Sequence, residues 1–252
     1  MSRLDRTLGL ARSLAVYHGI PLRQRRMRGL YRAFVSPGDL VFDIGAHVGN
    51  RARAFAALGC RVVAVEPQPD LAAVLRRIFA GGHQVRVVEA AVSLAAGRST
   101  LSLSDRHPSV ATTSERWREA RRSDPHFAGV EWNRDIPVEV TTLDRLIDQF
   151  GLPAFVKIDV EGSEPDVVGG LGRAVPHLSF EYLPGALDAV DMCLARLAAL
   201  GRYRFNWSRG ETFRLESGRW IEPAELTIRL RTPEESSTSG DVYASLARAV
   251  SV

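Results

Sequence analysis

Lysine is almost absent from this chain, since Lys157 is the only lysine among 33 basic residues. The net charge of +4 therefore comes from arginines, which are spread along the sequence except for a denser segment in residues 23–32. This spread differs from the basic patch that a nucleic-acid-binding domain presents to phosphates, so no nucleic acid is expected as a partner. The positive net charge keeps that alternative open. The dense segment either forms a solvated helix face or contacts an anionic substrate or lipid.

Long apolar runs and a cysteine framework are also missing. No stretch approaches the ~18 apolar residues of a membrane-spanning helix. Arg3, Arg6 and Arg12 interrupt the start of the chain, where a signal peptide needs an apolar segment. The two cysteines, Cys60 and Cys193, are far apart and have the apolar surroundings of core residues. These features predict a cytoplasmic enzyme without a transmembrane segment, whose oligomeric state stays open.

Strand-like and helical patterns alternate along the 252 residues. Apolar segments predict strands at residues 40–44, 61–65, 84–89, 99–104, 136–140 and 154–159. Residues 202–230 alternate around two glycine turns and predict antiparallel strands. This order indicates an α/β fold with a doubly wound, mostly parallel sheet and an antiparallel edge strand. Asp70, Thr141 and Ser163 are expected to cap the helices that follow them.

The predicted domain organisation has two parts. Residues 1–35 carry a helical pattern broken near Pro21, which predicts an N-terminal helical extension of two helices. Residues 36–252 form the main domain. Within it, residues 105–135 are polar and weakly patterned, and a connection of this length is usually functional or mobile. We expect it to form a partial lid with one short helix.

A glycine turn, Asp43-Ile-Gly-Ala-His-Val-Gly49, joins the first predicted strand to an alanine-rich helical pattern. Its glycines suit a turn whose backbone contacts a ligand, because Cβ atoms would block that approach. A dinucleotide site has the pattern G-x-G-x-x-G, which binds a pyrophosphate at the helix N-terminus. This turn has the pattern D-x-G-x-x-x-G instead. Its leading acid, Asp43, suits a cationic ligand end without phosphates, such as the amino-acid end of S-adenosylmethionine.

Glu66 ends the second predicted strand, about 20 residues after the turn, within a Val-Glu-Pro segment. A carboxylate in this place can accept hydrogen bonds from both hydroxyls of a ribose. His47, inside the turn, either contacts the cofactor and orients the backbone or acts as a base. The residues that this part of the sequence predicts at the cofactor are Asp43, Gly45, Ala46, His47, Gly49, Asn50, Glu66 and Pro67.

A second group of acids follows the most apolar strand, in the segment Phe155-Val-Lys-Ile-Asp-Val-Glu-Gly-Ser-Glu. Asp159 is expected at the carboxyl end of this strand, where open α/β sheets bind ligands. Glu161 follows in the loop, and Glu181 ends the next apolar run. Either these acids act at the acceptor, or Asp159 and Glu161 only cap a helix and satisfy loop amides.

The glycine turn, Val-Glu-Pro, the Ala-Val-Ser after the third strand and the Lys-Ile-Asp-Val-Glu-Gly-x-Glu motif together resemble the FkbM family of methyltransferases. The resemblance covers roughly residues 34–181, with a weaker echo in residues 240–244. It implies a Rossmann-like class I methyltransferase fold, S-adenosylmethionine as cofactor, and O-methylation of sugar, glycolipid, polysaccharide or natural-product hydroxyls. It also implies that Ala91 and Val92 lie near the adenine and that Asp159, Glu161 and Glu181 lie at the acceptor.

An alcohol acceptor needs a base, because its proton is lost as the new bond forms. Asp159, Glu161 and Glu181 are the candidates for that base or for binding sugar hydroxyls. A divalent metal held by the three acids is possible but not favoured, because their spacing is not diagnostic of a metal site. No metal ligand is therefore predicted. The acceptor is expected to be a small molecule or a glycan.

Lys157 lies two residues before Asp159, on the same side of an apolar strand. One interpretation is catalytic: the lysine holds Asp159 or polarises the acceptor. The other is structural: an ion pair, or an aliphatic stem that runs along the sheet so that the ammonium group reaches its end.

Two alternatives to O-methylation also stay open, namely a nucleic-acid methyltransferase and a regulatory protein that binds S-adenosylmethionine without catalysis.

Overall fold

The computed structural model describes residues 21–122, 124 and 127–247. Its strands, in chain order, are β1 Leu40–Ile44, β2 Arg61–Val65, β3 Val85–Val88, β4 Ala91–Val92, β5 Gly97–Leu103, β6 Arg134–Thr141, β7 Phe155–Ile158, β8 His177–Tyr182, β9 Tyr203–Arg209 and β10 Gly240–Leu246. Its helices are α1 Pro21–Tyr31, α2 Asn50–Ala57, α3 Pro69–Ile78, α4 Glu115–Arg122, α5 Leu143–Phe150, α6 Glu164–Gly169, α7 Leu187–Leu200, α8 Pro223–Leu230 and α9 Pro233–Ser236.

A seven-stranded sheet with the order β3-β2-β1-β7-β8-β10-β9 forms the centre of the fold. The pairs from β3 to β8 are all parallel, whereas β10 runs antiparallel to both of its neighbours, β8 and β9. The protein therefore has the predicted α/β fold, a doubly wound and mostly parallel sheet. Its antiparallel strand is β10, which lies one position inside the edge strand β9.

Helices cover both faces of this sheet, and β1 shows how the sequence fits between them. Successive strand residues point to opposite faces. Phe42 belongs to the larger apolar cluster, and Val41 belongs to the cluster that also contains Tyr31 of α1 and Phe55 of α2. Asp43 consequently lies on the face that α1 and α2 cover, although it sits in a strand that is buried throughout.

A second sheet with the order β4-β6-β5 lies beside the main one. β5 and β6 pair antiparallel from Gly97 to Leu103, and β4 pairs parallel with the end of β6. The expected lid, residues 105–135, leaves this sheet after β5 and returns in β6. In between it forms a short 3-10 helix at Pro108–Val110 and the helix α4, close to the short helix that its sequence predicts.

The six strands predicted from apolar segments are present with bounds that differ by at most a few residues. The prediction of antiparallel strands across residues 202–230 is wrong in its second half. β9 is present, but residues 223–230 form α8, in which Leu226 and Leu230 are buried at helical spacing. The antiparallel partner of β9 is β10, and Ile221 makes only an isolated bridge to Phe205.

The predicted helix caps also need correction. Thr142, rather than Thr141, caps α5, because its side-chain oxygen accepts a hydrogen bond from the Arg145 amide. α3 begins at Pro69, so Asp70 lies in its first turn instead of capping it. Ser163 precedes α6 but makes no side-chain cap bond.

The two cysteines are free and buried, as their apolar surroundings predict. The first of the two predicted N-terminal helices falls in residues 1–20, outside the described residues, and the second corresponds to α1. No helix in the described ranges is both long enough and apolar enough to cross a bilayer.

Candidate functional site

The carboxyl ends of β1, β2, β7 and β8 open into one cavity. Its empty volume is about 1220 Å³, part of which is open to solvent. The predicted site residues that line it are Asp43, Gly45, Ala46, His47, Asn50, Glu66, Pro67, Ala91, Val92, Asp159, Glu161 and Glu181. Gly49 and Lys157 do not line it. Two motifs that are far apart in the sequence therefore meet at one place in the fold.

The glycines in the turn after β1 are required by the packing of the protein itself, whether or not a ligand contacts the turn. Gly45 has a φ of 78°, and a Cβ atom there would lie 1.8 Å from the carbonyl oxygen of Asp159. Gly49 has a φ of 80°, and its Cβ atom would lie 2.6 Å from a methyl group of Leu75. Both positions need glycine because neighbouring parts of the protein leave no room for a side chain.

Glu66 closes the turn from the end of β2. Its carboxylate accepts hydrogen bonds from the backbone amides of His47 at 2.8 Å and Gln68 at 2.9 Å. Burial raises the pKa of Glu66 to about 7, although these two amides oppose the shift. The acid therefore holds two segments of the cavity wall together and changes charge near neutral pH.

Asp43 lies deeper in the same wall. It is 1% exposed, and among the described residues its Oδ2 atom has no hydrogen-bond partner. Burial raises the pKa of Asp43 to about 6, against the opposing effects of Arg51 and Lys157. A buried carboxylate oxygen without a partner is costly, so this atom is suited to a donor that arrives with a ligand.

Apolar groups form another part of the lining. Leu71 from α3 and the short strand residues Ala91 and Val92 are buried, and Pro67 lies beside Glu66 in the sequence. Apolar side chains next to a carboxylate have the composition of a site for a heteroaromatic ring attached to a sugar.

Asp159, Glu161 and Glu181 come together at the ends of β7 and β8. One carboxylate oxygen from each lies within 4.8 Å of the others. Burial raises the pKa of both Glu161 and Glu181 well above the usual range, and the neighbouring carboxylates raise it further. Such a group can retain protons, accept hydrogen bonds from hydroxyls or coordinate a divalent cation.

Glu164 supports the loop that carries Glu161. Its carboxylate accepts hydrogen bonds from the backbone amides of Val160 and Gly162, both at 3.0 Å. Glu161 itself has a φ of 53°, in the left-handed region that is uncommon for residues other than glycine. The two hydrogen bonds therefore stabilise an unusual backbone conformation at a residue that lines the cavity.

The lid segment is packed against the same loop. Thr112 donates a side-chain hydrogen bond of 2.7 Å to the carbonyl oxygen of Glu161. Trp117 of α4 is 5% exposed and lies so close to Gly162 that a Cβ atom there would be 2.1 Å from the ring. The guanidinium of Arg121 lies 5.7 Å from the centre of the Trp117 ring. Thr112 and its neighbours Ala111 and Thr113 line the cavity, so this segment forms one of its walls.

Lys157 lies behind this cavity wall and is fully buried. Its ammonium group donates a 2.8 Å hydrogen bond to Asp241 and lies 3.5 Å from Asp159. The ammonium also donates to the carbonyl of Ile158 at 3.0 Å. Of the two interpretations of Lys157, this geometry favours the structural ion pair.

Three residues near the site were missed by the sequence analysis. Glu164 is the last acid of the Lys-Ile-Asp-Val-Glu-Gly-x-Glu motif, and this position could have indicated a role near the site. Asp241 falls in the short segment 240–244 that was noted only as a weak echo of the family. Arg51 is the second residue after the glycine turn and lines the cavity, but nothing in the sequence distinguishes it from the other arginines.

Comparison with known proteins identifies one family. A family model described as the methyltransferase FkbM domain matches residues 43–192. No curated protein matches the chain. A solved O-methyltransferase from Bacillus cereus in complex with SAH has a TM-score of 0.46 and 11% identity, over 95% of this chain and 90% of that chain.

Two further solved structures give similar values. A putative O-methyltransferase from Klebsiella pneumoniae has a TM-score of 0.48 and 10% identity, over 94% of this chain and 89% of its own. A precorrin-6y C5,15-methyltransferase from Geobacter metallireducens has a TM-score of 0.47 and 12% identity, over 89% of this chain and 86% of its own.

The family match covers more than half of the chain and includes the turn at Asp43, the acid Glu66 and the three clustered carboxylates. The chain therefore belongs to the FkbM methyltransferase family.

Proposed function

We propose that this protein is an O-methyltransferase that uses S-adenosylmethionine and methylates a hydroxyl of a sugar, a glycolipid or polysaccharide, or a natural product. One observation carries the proposal. The carboxylates of Asp159, Glu161 and Glu181 lie within 4.8 Å of one another and line the same cavity as Asp43 and Glu66.

The cofactor would lie along the glycine turn. Glu66 would accept hydrogen bonds from the ribose hydroxyls, and Ala91 and Val92 would contact the adenine ring. Asp43, whose Oδ2 atom has no partner in the described part of the chain, would face the ammonium group of the methionine end. His47 and Asn50 would complete this side, whereas Gly45 and Gly49 would shape the turn. The residues present therefore fit the cofactor.

The acceptor would lie at the clustered carboxylates. S-adenosylmethionine supplies a methyl group bound to a positively charged sulfur. One carboxylate of Asp159, Glu161 or Glu181 would take the proton of the acceptor hydroxyl as the new oxygen–carbon bond forms. The other two would bind neighbouring hydroxyls and fix the direction of attack, which accounts for about 7–11 kcal/mol of a barrier in well-oriented reactions. The products are a methyl ether, a thioether and a protonated carboxyl group.

The charge of the cavity favours a neutral polyol over a phosphate-rich acceptor. Among the described residues, the lining holds seven carboxylic acids and one arginine. Closely spaced acids repel phosphates, and they attract a sulfonium ion and accept hydrogen bonds from hydroxyls. This balance supports a sugar or natural-product acceptor rather than a nucleic acid.

Lys157 would act as a positioning residue in this scheme. It contacts Asp159 and Asp241 from behind the cavity wall and does not line the cavity, so it would hold Asp159 in place. A divalent metal is not part of the proposal. Lys157 and protons retained by the carboxyl groups can offset the negative charge of the cluster.

Calorimetry tests the cofactor. S-adenosylmethionine and S-adenosylhomocysteine are titrated into the wild-type protein, with NAD as a matched nucleotide control. We expect micromolar binding of the first two, no binding of NAD, and at least about tenfold weaker binding in Asp43→Asn and Glu66→Ala. Failure of the wild type to bind either ligand would refute the proposal.

A second assay tests the reaction. S-adenosylhomocysteine release is measured with a panel of monosaccharides, nucleotide sugars, lipid-linked sugars, phenols and RNA. Turnover with a hydroxyl acceptor, and a product whose new methyl group is on oxygen, is the expected result. Turnover only with RNA would replace the proposal by nucleic-acid methylation. Cofactor binding without turnover on any acceptor would favour a regulatory protein.

A further inference from the structure

Arg51 is the only arginine among the described residues that line the cavity. It lies in the first turn of α2, directly after the glycine turn and Asn50, and its side chain is 11% exposed. Its Nη2 atom approaches Asp159 at 3.8 Å and Asp241 at 3.9 Å, both longer than a hydrogen bond. Its Nε atom has no hydrogen-bond partner within the described residues.

A guanidinium has five N–H donors, and leaving buried donors without acceptors is costly. The nearby carboxylates lower the electrostatic cost of burying Arg51, but they do not reach hydrogen-bond distance. A planar carboxylate is the group that best matches the paired donors of a guanidinium, because it can accept two parallel hydrogen bonds.

Two neighbours of Arg51 in this wall also have side-chain atoms without partners. The Nδ2 atom of Asn50 and the Oδ2 atom of Asp43 are buried and lack hydrogen-bond partners in the described part of the chain. Asn50 is 4% exposed and Asp43 is 1% exposed. Together the three side chains offer donors from Arg51 and Asn50 and an acceptor from Asp43. An α-amino acid needs this combination, since it has one carboxylate and one ammonium group.

The location agrees with the chemistry. In the proposed function Glu66 would hold the ribose, and Asp159, Glu161 and Glu181 would receive the acceptor. Residues at the start of α2, which line the same cavity, would then be available to hold the methionine end of the cofactor. We propose that Arg51, assisted by Asn50, binds the α-carboxylate of S-adenosylmethionine, with Asp43 facing its ammonium group. This inference rests on the proposed function and assigns one part of its binding site.

The test combines one change in the protein, at Arg51, with one change in the ligand, the loss of its carboxylate. Wild type and Arg51→Gln are titrated by calorimetry with S-adenosylhomocysteine and with decarboxylated S-adenosylhomocysteine, in which an aminopropyl group replaces the amino-acid end. The wild type should bind the complete ligand at least about tenfold more tightly, as expected for a charge-assisted hydrogen bond. Arg51→Gln should lose that preference and bind the decarboxylated ligand nearly as the wild type does.

Arg51→Lys and Arg53→Gln complete the design. Arg51→Lys keeps the charge but not the paired donors, so it should retain only part of the preference. Arg53 is exposed on the same helix, and its replacement should change neither ligand's affinity. Thermal unfolding of each variant without ligand identifies any loss of folding.

The outcomes separate the two proposals. If the wild type prefers the complete ligand and Arg51→Gln keeps the same preference, the assignment of Arg51 is overturned while the proposed cofactor stands. Equal weakening of both ligands in a folded Arg51→Gln protein overturns it as well, because the effect would not depend on the carboxylate. Failure of the wild type to bind either ligand overturns the proposed function and this assignment together.

Discussion

The ammonium group of Lys157 lies 2.8 Å from a carboxylate oxygen of Asp241, and the two residues pair from β7 and β10 across the intervening strand β8. Burial alone lowers the pKa of Lys157, but the carboxylates of Asp159 and Asp241 raise it above its usual range. Burial has the opposite effect on Asp241, and Lys157 together with Arg51 lowers its pKa below the usual range. Both members of the pair are therefore charged at neutral pH.

Removal of Lys157 should be costly to stability, because it leaves a buried carboxylate without its main partner. We expect Lys157→Met to lower the free energy of unfolding by about 3–5 kcal/mol, measured by urea denaturation. The double variant Lys157→Met, Asp241→Leu should recover much of this loss, since neither charge then remains. Unchanged stability with a large loss of turnover in Lys157→Met would instead support direct action on the acceptor.

Glu66 should make cofactor binding depend on pH. Burial raises its pKa to about 7 in the free protein, and ribose hydroxyls donate more strongly to the ionised carboxylate. Ligand binding then lowers this pKa, so the affinity for S-adenosylhomocysteine should rise with pH and level off above about pH 7. The dissociation constant is measured by calorimetry from about pH 5.5 to about pH 8.5.

Glu66→Gln is the control for this titration, because the amide cannot ionise. Its affinity should be weaker and should not change near pH 7. A residual change near pH 6 would come from Asp43, whose pKa burial raises to about 6. The same pH dependence near neutrality in Glu66→Gln as in the wild type would contradict the assignment of the ribose to Glu66.

Gly162 should control how the lid packs on the acceptor side. It has a φ of 92°, and a Cβ atom there would lie 2.1 Å from the ring of Trp117. We expect Gly162→Ala to displace α4 and to lower the rate of methyl transfer by about 10²-fold, a typical effect of an ångström-scale misplacement. Affinity for S-adenosylhomocysteine should be little changed, because Asp43 and Glu66 lie at the ends of β1 and β2, whereas Gly162 lies in the loop after β7.

Limited proteolysis within the lid gives an independent measurement, and Gly162→Ala should be cleaved faster than the wild type. Gly82→Ala is the matched control, since a Cβ atom at Gly82 meets no other atom within 4 Å. Equal cleavage and equal turnover in Gly162→Ala and the wild type would show that the contact with Trp117 has no influence on the site.

The parts of the fold that the sequence predicted best are those with a simple local cause. β1 and β2 are continuous apolar segments bounded by turns, and their predicted limits agree with the structure. The segment 223–230 was misread because alternating residues suggested a strand, whereas burial of Leu226 and Leu230 follows the helical period. β10 was missed because it pairs with β8 and β9 across long sequence separations, which local patterns do not reveal.

The same distinction applies to the candidate site. Asp43, Glu66 and Asp159 could be placed at the cavity because each lies within one residue of the carboxyl end of a predicted strand. Arg51 could not, because the features that distinguish it are its burial and its distances to Asp159 and Asp241, which the sequence does not show. Gly45 and Gly49 were predicted as special positions, but the reason differs: the structure shows close approach of Asp159 and Leu75, where the sequence suggested contact with a ligand.

Glu181 should combine a catalytic benefit with a cost to stability. Burial and the neighbouring carboxylates Asp159 and Glu161 raise its pKa well above the usual range. An acid whose pKa is raised in the folded state loses stabilising free energy as the pH increases from its unfolded value of about 4.5 upwards. Glu181→Gln removes that penalty, so its melting temperature should exceed that of the wild type at pH 8 and match it near pH 4.5.

Although Glu181→Gln should raise the melting temperature, it should lower the activity. Glu181→Gln, Glu161→Gln and Asp159→Asn should each impair methyl transfer, by about 10²–10⁴-fold for the residue that acts as the base, with little change in affinity for S-adenosylhomocysteine. Glu139→Gln, on the exposed face of β6, is the control.

Treatment of the wild type with EDTA should leave turnover unchanged, because protons and Lys157 offset the charge of the cluster. Loss of turnover in EDTA that Mg²⁺ or Mn²⁺ restores, together with a metal-dependent rise in melting temperature that Glu181→Gln abolishes, would show instead that the three carboxylates hold a cation.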